Sequence, residues 1–200
     1  MKRIVALAIF LGLLATSTVL ASGSVVYVQV KTPPVPWADS RLFEKMRVLL
    51  CQDDAFDVVS VGERPNHLPP FPTDRCNTEN LVNWGQEAGC RYLFVVTVDD
   101  ERIERRKTFG IPLIVQKYQT VGVAEGNYRL IDVYRGKLLE AKSFKIKVDG
   151  PRVFQADPDN NINDPDIRLN AVEKMQFISR LEERVAEKLA ERFEHEVRNR

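Results

Sequence analysis

The segment Tyr92 to Val98 (YLFVVTV) is β-branched or aromatic at almost every position and offers no polar face to water. Successive strand residues point to opposite sides, so such a strand belongs in the centre of a sheet with apolar layers above and below it. The preceding segments supply the parts. Val25 to Lys31 (VVYVQVK) reads as a first strand, stopped by Pro33, Pro34 and Pro36, because proline cannot donate to a ladder. Asp39 or Ser40 is expected to cap a helix in which Leu42, Phe43, Met46, Leu49 and Leu50 recur at helical spacing as far as about Cys51. Phe56 to Val61 (FDVVSV) is a second strand, and Gly62 to Thr73, with Pro65, Pro69, Pro70 and Pro72, is a loop. A second helix starts at Thr78, carries Leu81, Val82 and Trp84, and ends at Gly89. The first half is thus βαβαβ.

Beyond Val98 the pattern changes to antiparallel strands, expected at Ile114 to Val123, Asn127 to Tyr134 and Leu138 to Val148, with Arg135-Gly136 as a two-residue hairpin connection. Pairing Tyr134 with Lys137 sets Val133 opposite Leu138 and Ile131 opposite Glu140. Asp99-Asp100-Glu101 reads as the end of the central strand, and Asp149 to Asp166 as a loop. A helix over residues 167–198 closes the chain, with Asp164 or Asp166 as its cap. Its apolar positions Val172, Met175, Ile178, Leu181, Val185, Leu189 and Phe193 suit docking on a sheet, and Arg180, Arg184, Lys188 and Arg192 meet Glu183, Glu187 and Glu191 as i to i+3 pairs on a solvated face. A partner helix, and with it self-association, is the alternative use of that face. The fold class is α/β: a mixed sheet with a βαβαβ first half, an antiparallel meander second half and a long C-terminal helix.

Met1-Lys2-Arg3, the uncharged run Ile4 to Leu20 and the small exit residue Ala21 form a secretory signal, so residues 1–21 are a signal peptide and 22–200 one domain. The run lies at the short end of the roughly 17 to 25 residues a bilayer span requires, and a retained anchor is the other reading. Ser22, Gly23 and Ser24 follow the exit where a lipoprotein would carry cysteine. The protein is therefore expected in the periplasm or secreted, without a stable membrane span once the signal is removed. With 29 basic against 28 acidic side chains, evenly mixed, there is no basic field for nucleic acid.

Chemistry motifs are sparse. His67 and His195 share no metal-ligand spacing, paired Cys-x-x-Cys is absent, and so are the nucleophile elbow and the glycine-rich phosphate and dinucleotide loops. No cofactor or metal and no catalytic residue is expected. Asp157 to Asp166 has alternating oxygen ligands but lacks the central glycine and terminal glutamate of a calcium loop. The end of the first helix and the start of the central strand lie at one end of the sheet, which predicts a Cys51 to Cys90 disulfide with Cys76 left over; three free thiols are the alternative. The loops after the first two strands lie at the carboxyl ends of those strands, where open α/β sheets bind ligands, and there Trp37, Arg64, His67, Phe71 and Arg75 are expected to form a partner-binding surface. The bland alternative is that the prolines stiffen two connections and Trp37 packs on the core edge.

The strand Gly89 to Val98 (GCRYLFVVTV), followed by antiparallel strands ending in Tyr128 to Glu140 with Leu130, Asp132, Val133, Gly136 and Leu139, resembles the CsgG-like and TolB amino-terminal-like envelope domains. That resemblance implies a periplasmic mixed-sheet domain that binds other envelope proteins or assembles at the outer membrane. The function expected is a non-enzymatic interaction domain of the cell envelope, an assembly or accessory factor with an envelope protein as partner. The rivals are an envelope hydrolase around His67, Arg64 and Asp74, and a small-ligand carrier beside Trp37.

Overall fold

The computed structural model describes residues 24–34, 40–52, 55–75, 77–111, 115–155 and 169–198. Strand β1 (Ser24–Lys31) leads to helix α1 (Leu42–Leu50), strand β2 (Phe56–Ser60) and a 3-10 turn at Val61–Glu63. Helix α2 (Thr78–Glu87), three strands, β3 (Tyr92–Ile111), β4 (Val115–Asp132) and β5 (Lys137–Gln155), and helix α3 (Ala171–Arg198) follow. The sheet order is β2-β1-β3-β4-β5, with β1 parallel to β2 and β3, and β4 antiparallel to both its neighbours. The mixed α/β class read from the sequence is the observed one.

Both faces of β3 are covered, as its composition demands. Tyr92, Phe94, Val96 and Val98 meet α1 and α3 on one face, where Met46, Leu181, Leu189 and Phe193 complete the core. Leu93 and Val95 meet α2 on the other, where Tyr27, Leu81, Trp84 and Ile131 close the layer. The ring of Phe193 sits edge-on to Phe56 at 5.2 Å and to Tyr92 at 6.0 Å, and tilted against Phe94 at 5.5 Å. It therefore ties the edge strand, the central strand and α3 together.

The antiparallel half is longer than the sequence suggests. Asp99, Asp100 and Glu101 do not end β3; the strand shifts register between Val98 and Asp100 and runs on to Ile111. Strand β4 runs unbroken through Ala124 to Gly126, and β5 continues through Asp149 to Gln155 where a loop was expected. Polar residues mark a strand end only when no neighbouring strand satisfies the backbone, and here each strand satisfies the next. Arg102 bridges Asp100, Glu104 and Glu125, and Glu125 also pairs with Lys145. Of the three acidic residues that looked like a terminus, Asp100 belongs to this network across the strands and Asp99 accepts from Asn127 on β4.

The β4–β5 register also differs, by two residues next to the turn and by one beyond a bulge between Leu130 and Ile131. Asp132 pairs with Lys137 and Ile131 with Leu138, and Leu130 rather than Ile131 faces Glu140 across a bulge. The connection is the four residues 133–136, with Gly136 at φ 63° in the left-handed region that favours glycine. Helix α3 is capped by Asn170 instead of Asp164 or Asp166: its Oδ1 accepts from Glu173 N at 2.9 Å while the Glu173 carboxylate accepts from Asn170 N at 2.8 Å, a capping box. Val172 and Met175 are exposed, so the docked face begins at Phe177, whose ring lies over Gly122 and Gly150. A Cβ on Gly150 would stand 2.8 Å from that ring, so the two glycines make the flat seat it needs. The expected i to i+3 pairs are present as Arg184 with Glu187 and Lys188 with Glu191.

Residues 1–21, Trp37, Cys76 and the Asp157 to Asp166 run lie outside the described residues. No described helix is long and apolar enough to cross a membrane. Truncating fully buried Phe193 to alanine is expected to cost about 3–5 kcal/mol, read as a fall of roughly 6–20 °C in the midpoint of thermal unfolding.

Candidate functional site

Of the expected partner-binding residues, Arg64, His67, Phe71 and Arg75 are described, and their contacts are with different parts of the fold. Phe71 packs edge-on to Trp84 at 5.1 Å, and Trp84 Nε1 donates to the Pro69 carbonyl at 3.0 Å, so this part of the proline-rich loop is stitched into the core beneath it. Arg64 folds back, Nη1 donating to Val61 O at 3.4 Å, and His67 is exposed. Arg75 alone reaches the sheet, Nη1 donating to Thr97 Oγ1 at 3.4 Å. Prolines next to apolar residues served here to press the loop onto α2.

The cysteine expectation is corrected as well. Cys51 and Cys90 are free thiols. They lie at one end of the sheet as foreseen but on opposite faces, Cys51 against the α1–α3 core and Cys90 within the α2 core, so the sheet separates them. Burial pushes the Cys90 thiol up to about 11, and its Sγ donates to Gly85 O at 3.4 Å, which leaves it protonated and unreactive at neutral pH. Alkylation of the native protein with iodoacetamide is expected to spare Cys90 until denaturant is added, followed by peptide mass spectrometry.

Two surface features carry unusual residue types. The first is a cleft of about 640 Å³ at the end of the sheet where β3 begins, lined by Gln86, Cys90, Arg91, Val133, Tyr134 and Arg135. Tyr134 is 86% exposed, at the crest of the β4–β5 turn. That turn is firmly held: buried Asp132 accepts from Arg135 N at 3.0 Å, Val133 N donates to Arg91 O at 2.9 Å, and Gly136 N donates to Val133 O at 3.2 Å. Arg91 is fixed over the Tyr92 ring at 5.4 Å with Nε donating to its hydroxyl at 3.2 Å. An exposed aromatic thus stands between two arginines on a rigid support. Sequence reasoning missed it because Tyr134 was assigned to strand β4, whose ladder ends two residues earlier.

The second is a pocket of about 290 Å³ at the opposite end, where β3 leaves its pairing with β1, lined on the α2 side by Arg75, Thr97, Asn127, Arg129 and Ser143.

A buried acidic pair lies on the other face. Glu182 of α3, 4% exposed, accepts from Arg41 N at 3.0 Å and from Ser40 Oγ at 2.7 Å, and its second oxygen lies 3.3 Å from Lys45 Nζ. It thereby caps α1, whose own N-cap residue Arg41 makes no side-chain cap. Burial first, then the Glu182 charge, raises the Glu101 carboxyl to about 7 against the opposing pull of Lys45. The folded state then holds a proton that the unfolded chain releases near 4.5, so stability present below that pH is lost as pH rises toward 7. Glu101→Gln is expected to raise the thermal midpoint at pH 8 and to leave it unchanged at pH 4, compared by calorimetry.

No family model matches the chain, and no curated protein does. Among solved structures it is similar to rare lipoprotein B from Shewanella oneidensis, at 14% identity and a TM-score of 0.41 over 86% of this chain and 97% of that one. It is also similar to the LpoB C-terminal domain from Salmonella enterica, at 14% identity and a TM-score of 0.35 over 68% and 90%. TolB from Acinetobacter baumannii matches at 13% identity and a TM-score of 0.35, over 62% of this chain but 23% of its own length. The expected likeness to TolB is met at this level, too weak to carry a functional argument.

Proposed function

We propose that the protein is a non-enzymatic interaction domain of the cell envelope, an accessory or assembly factor that grips another envelope protein through the Tyr134 cleft. The observation that carries this is Tyr134 itself, exposed between Arg91 and Arg135 on a turn fixed by Asp132. Tyrosine and arginine are the side chains that most often anchor protein interfaces, and a preset turn spares the partner the entropy of ordering them. The envelope location rests on Lys2, Arg3 and the apolar run Ile4 to Leu20, read as an export signal.

The test is a photo-crosslinking amino acid placed at Tyr134 in whole cells expressing the full chain, with exposed Val48 on α1 as the control position. One discrete adduct at position 134, absent at 48 and weakened about 10-fold or more by Arg135→Ala, is the expected result. Identical adduct patterns at both positions, or none, would remove the cleft as the binding surface.

A further inference from the structure

We propose that the pocket between the start of α2 and strands β3 to β5 binds a small oxyanion, a phosphate or carboxylate group. Two guanidinium groups share it. Arg129 comes up from β4, its Nη2 donating to Thr78 Oγ1 at 3.0 Å, and Arg75 comes down from the loop ahead of α2 onto Thr97 Oγ1. Among the described residues neither arginine forms an ion pair, whereas Arg47, Arg102, Arg135, Arg184 and Arg198 each do. Arg129 Nε is moreover buried without a hydrogen-bond partner, the one such side-chain atom among the described residues. A buried donor of this kind costs stability unless something accepts from it, and a guanidinium cannot shed its proton to escape.

The rest of the lining fits an acceptor-rich guest. Thr97 and Ser143 supply hydroxyls, and Asn127 supplies an amide that already donates to Asp99 at 3.0 Å. Asp99 is the negative charge at the rim, and that hydrogen bond holds it to the Asn127 side. Lys142 contributes backbone rather than charge, because its ammonium turns to Glu140, which in turn accepts from Tyr128 on the far face. A volume of about 290 Å³ admits one oxyanion group and a short stem, not an extended polymer. Planar guanidinium forks match the two oxygens of a carboxylate or phosphate side by side. The pocket lies at the other end of the sheet from Tyr134, so this site and the proposed protein interface stand or fall separately.

The experiment titrates the full mature domain with inorganic phosphate, and separately with acetate, at ionic strength held constant with sodium chloride. It reads the thermal midpoint and the 15N–1H resonances of the arginine Nε groups. Saturable movement of the Arg129 Nε signal with either anion, and a rise in midpoint, is expected. A response to phosphate and not acetate assigns a phosphate group; the reverse assigns a carboxylate. Arg75→Gln and Ser143→Asp, the latter placing a negative charge at the rim without touching the core, are each expected to weaken the response at least 10-fold while the circular dichroism spectrum stays that of the parent. An equal response in both variants, or movement that chloride reproduces, overturns the proposal.

Discussion

The carboxylate of Glu182 adds a polar tie between α1 and α3, two helices that share the apolar core on one face of the sheet. Helix α1 is capped locally only by Ser40, whose Oγ accepts from Leu42 N at 3.4 Å, and Arg41 contributes no side-chain cap. Glu182 reaches this end from the middle of α3, satisfies Arg41 N and Ser40 Oγ, and takes Lys45 as its counter-charge. A buried charge with several hydrogen bonds and one partner is tolerated; without them it is expelled. The position of α3 is thereby set in register as well as in angle, and the seating of Phe177 over Gly122 and Gly150 and of Phe193 among three aromatic rings follows from it.

The parallel half of the fold was legible because its signals are local. Proline after β1, Thr78 and Gly89 at the two ends of α2, and the unbroken apolar stretch from Tyr92 each carry their physical cause within a few residues. The antiparallel half was misjudged at its charged positions. Asp100, Arg102 and Glu104 alternate along one face of β3, and what keeps them in a strand is Glu125 on β4 and Lys145 on β5, partners a single segment does not reveal.

The sites were less legible than the fold. Arg75, expected at the carboxyl ends of the parallel strands, lines the pocket beside Thr97, whereas Arg129 comes from the middle of an antiparallel strand that nothing local marks. Phe71 looked like a surface aromatic in a polar, proline-rich loop, and Trp84 claims it from another element. Tyr134 was concealed by register: a two-residue shift in the β4–β5 ladder next to the turn decides whether it pairs with Lys137 or stands clear of the sheet.

The placement of α3 also governs the order in which the molecule can assemble. The described strands precede it in the chain, and the sheet face with Phe94, Val96 and Leu130 is covered among the described residues by α3 together with α1. Helix α1 covers only the region near β1 and β2. Strand β1 must in addition find β3 across two helices and a strand, a non-local pairing that forms slowly. Without Phe177 to Phe193 that face keeps only the cover of α1, so the helix that follows all the strands in the chain is the one that completes the core.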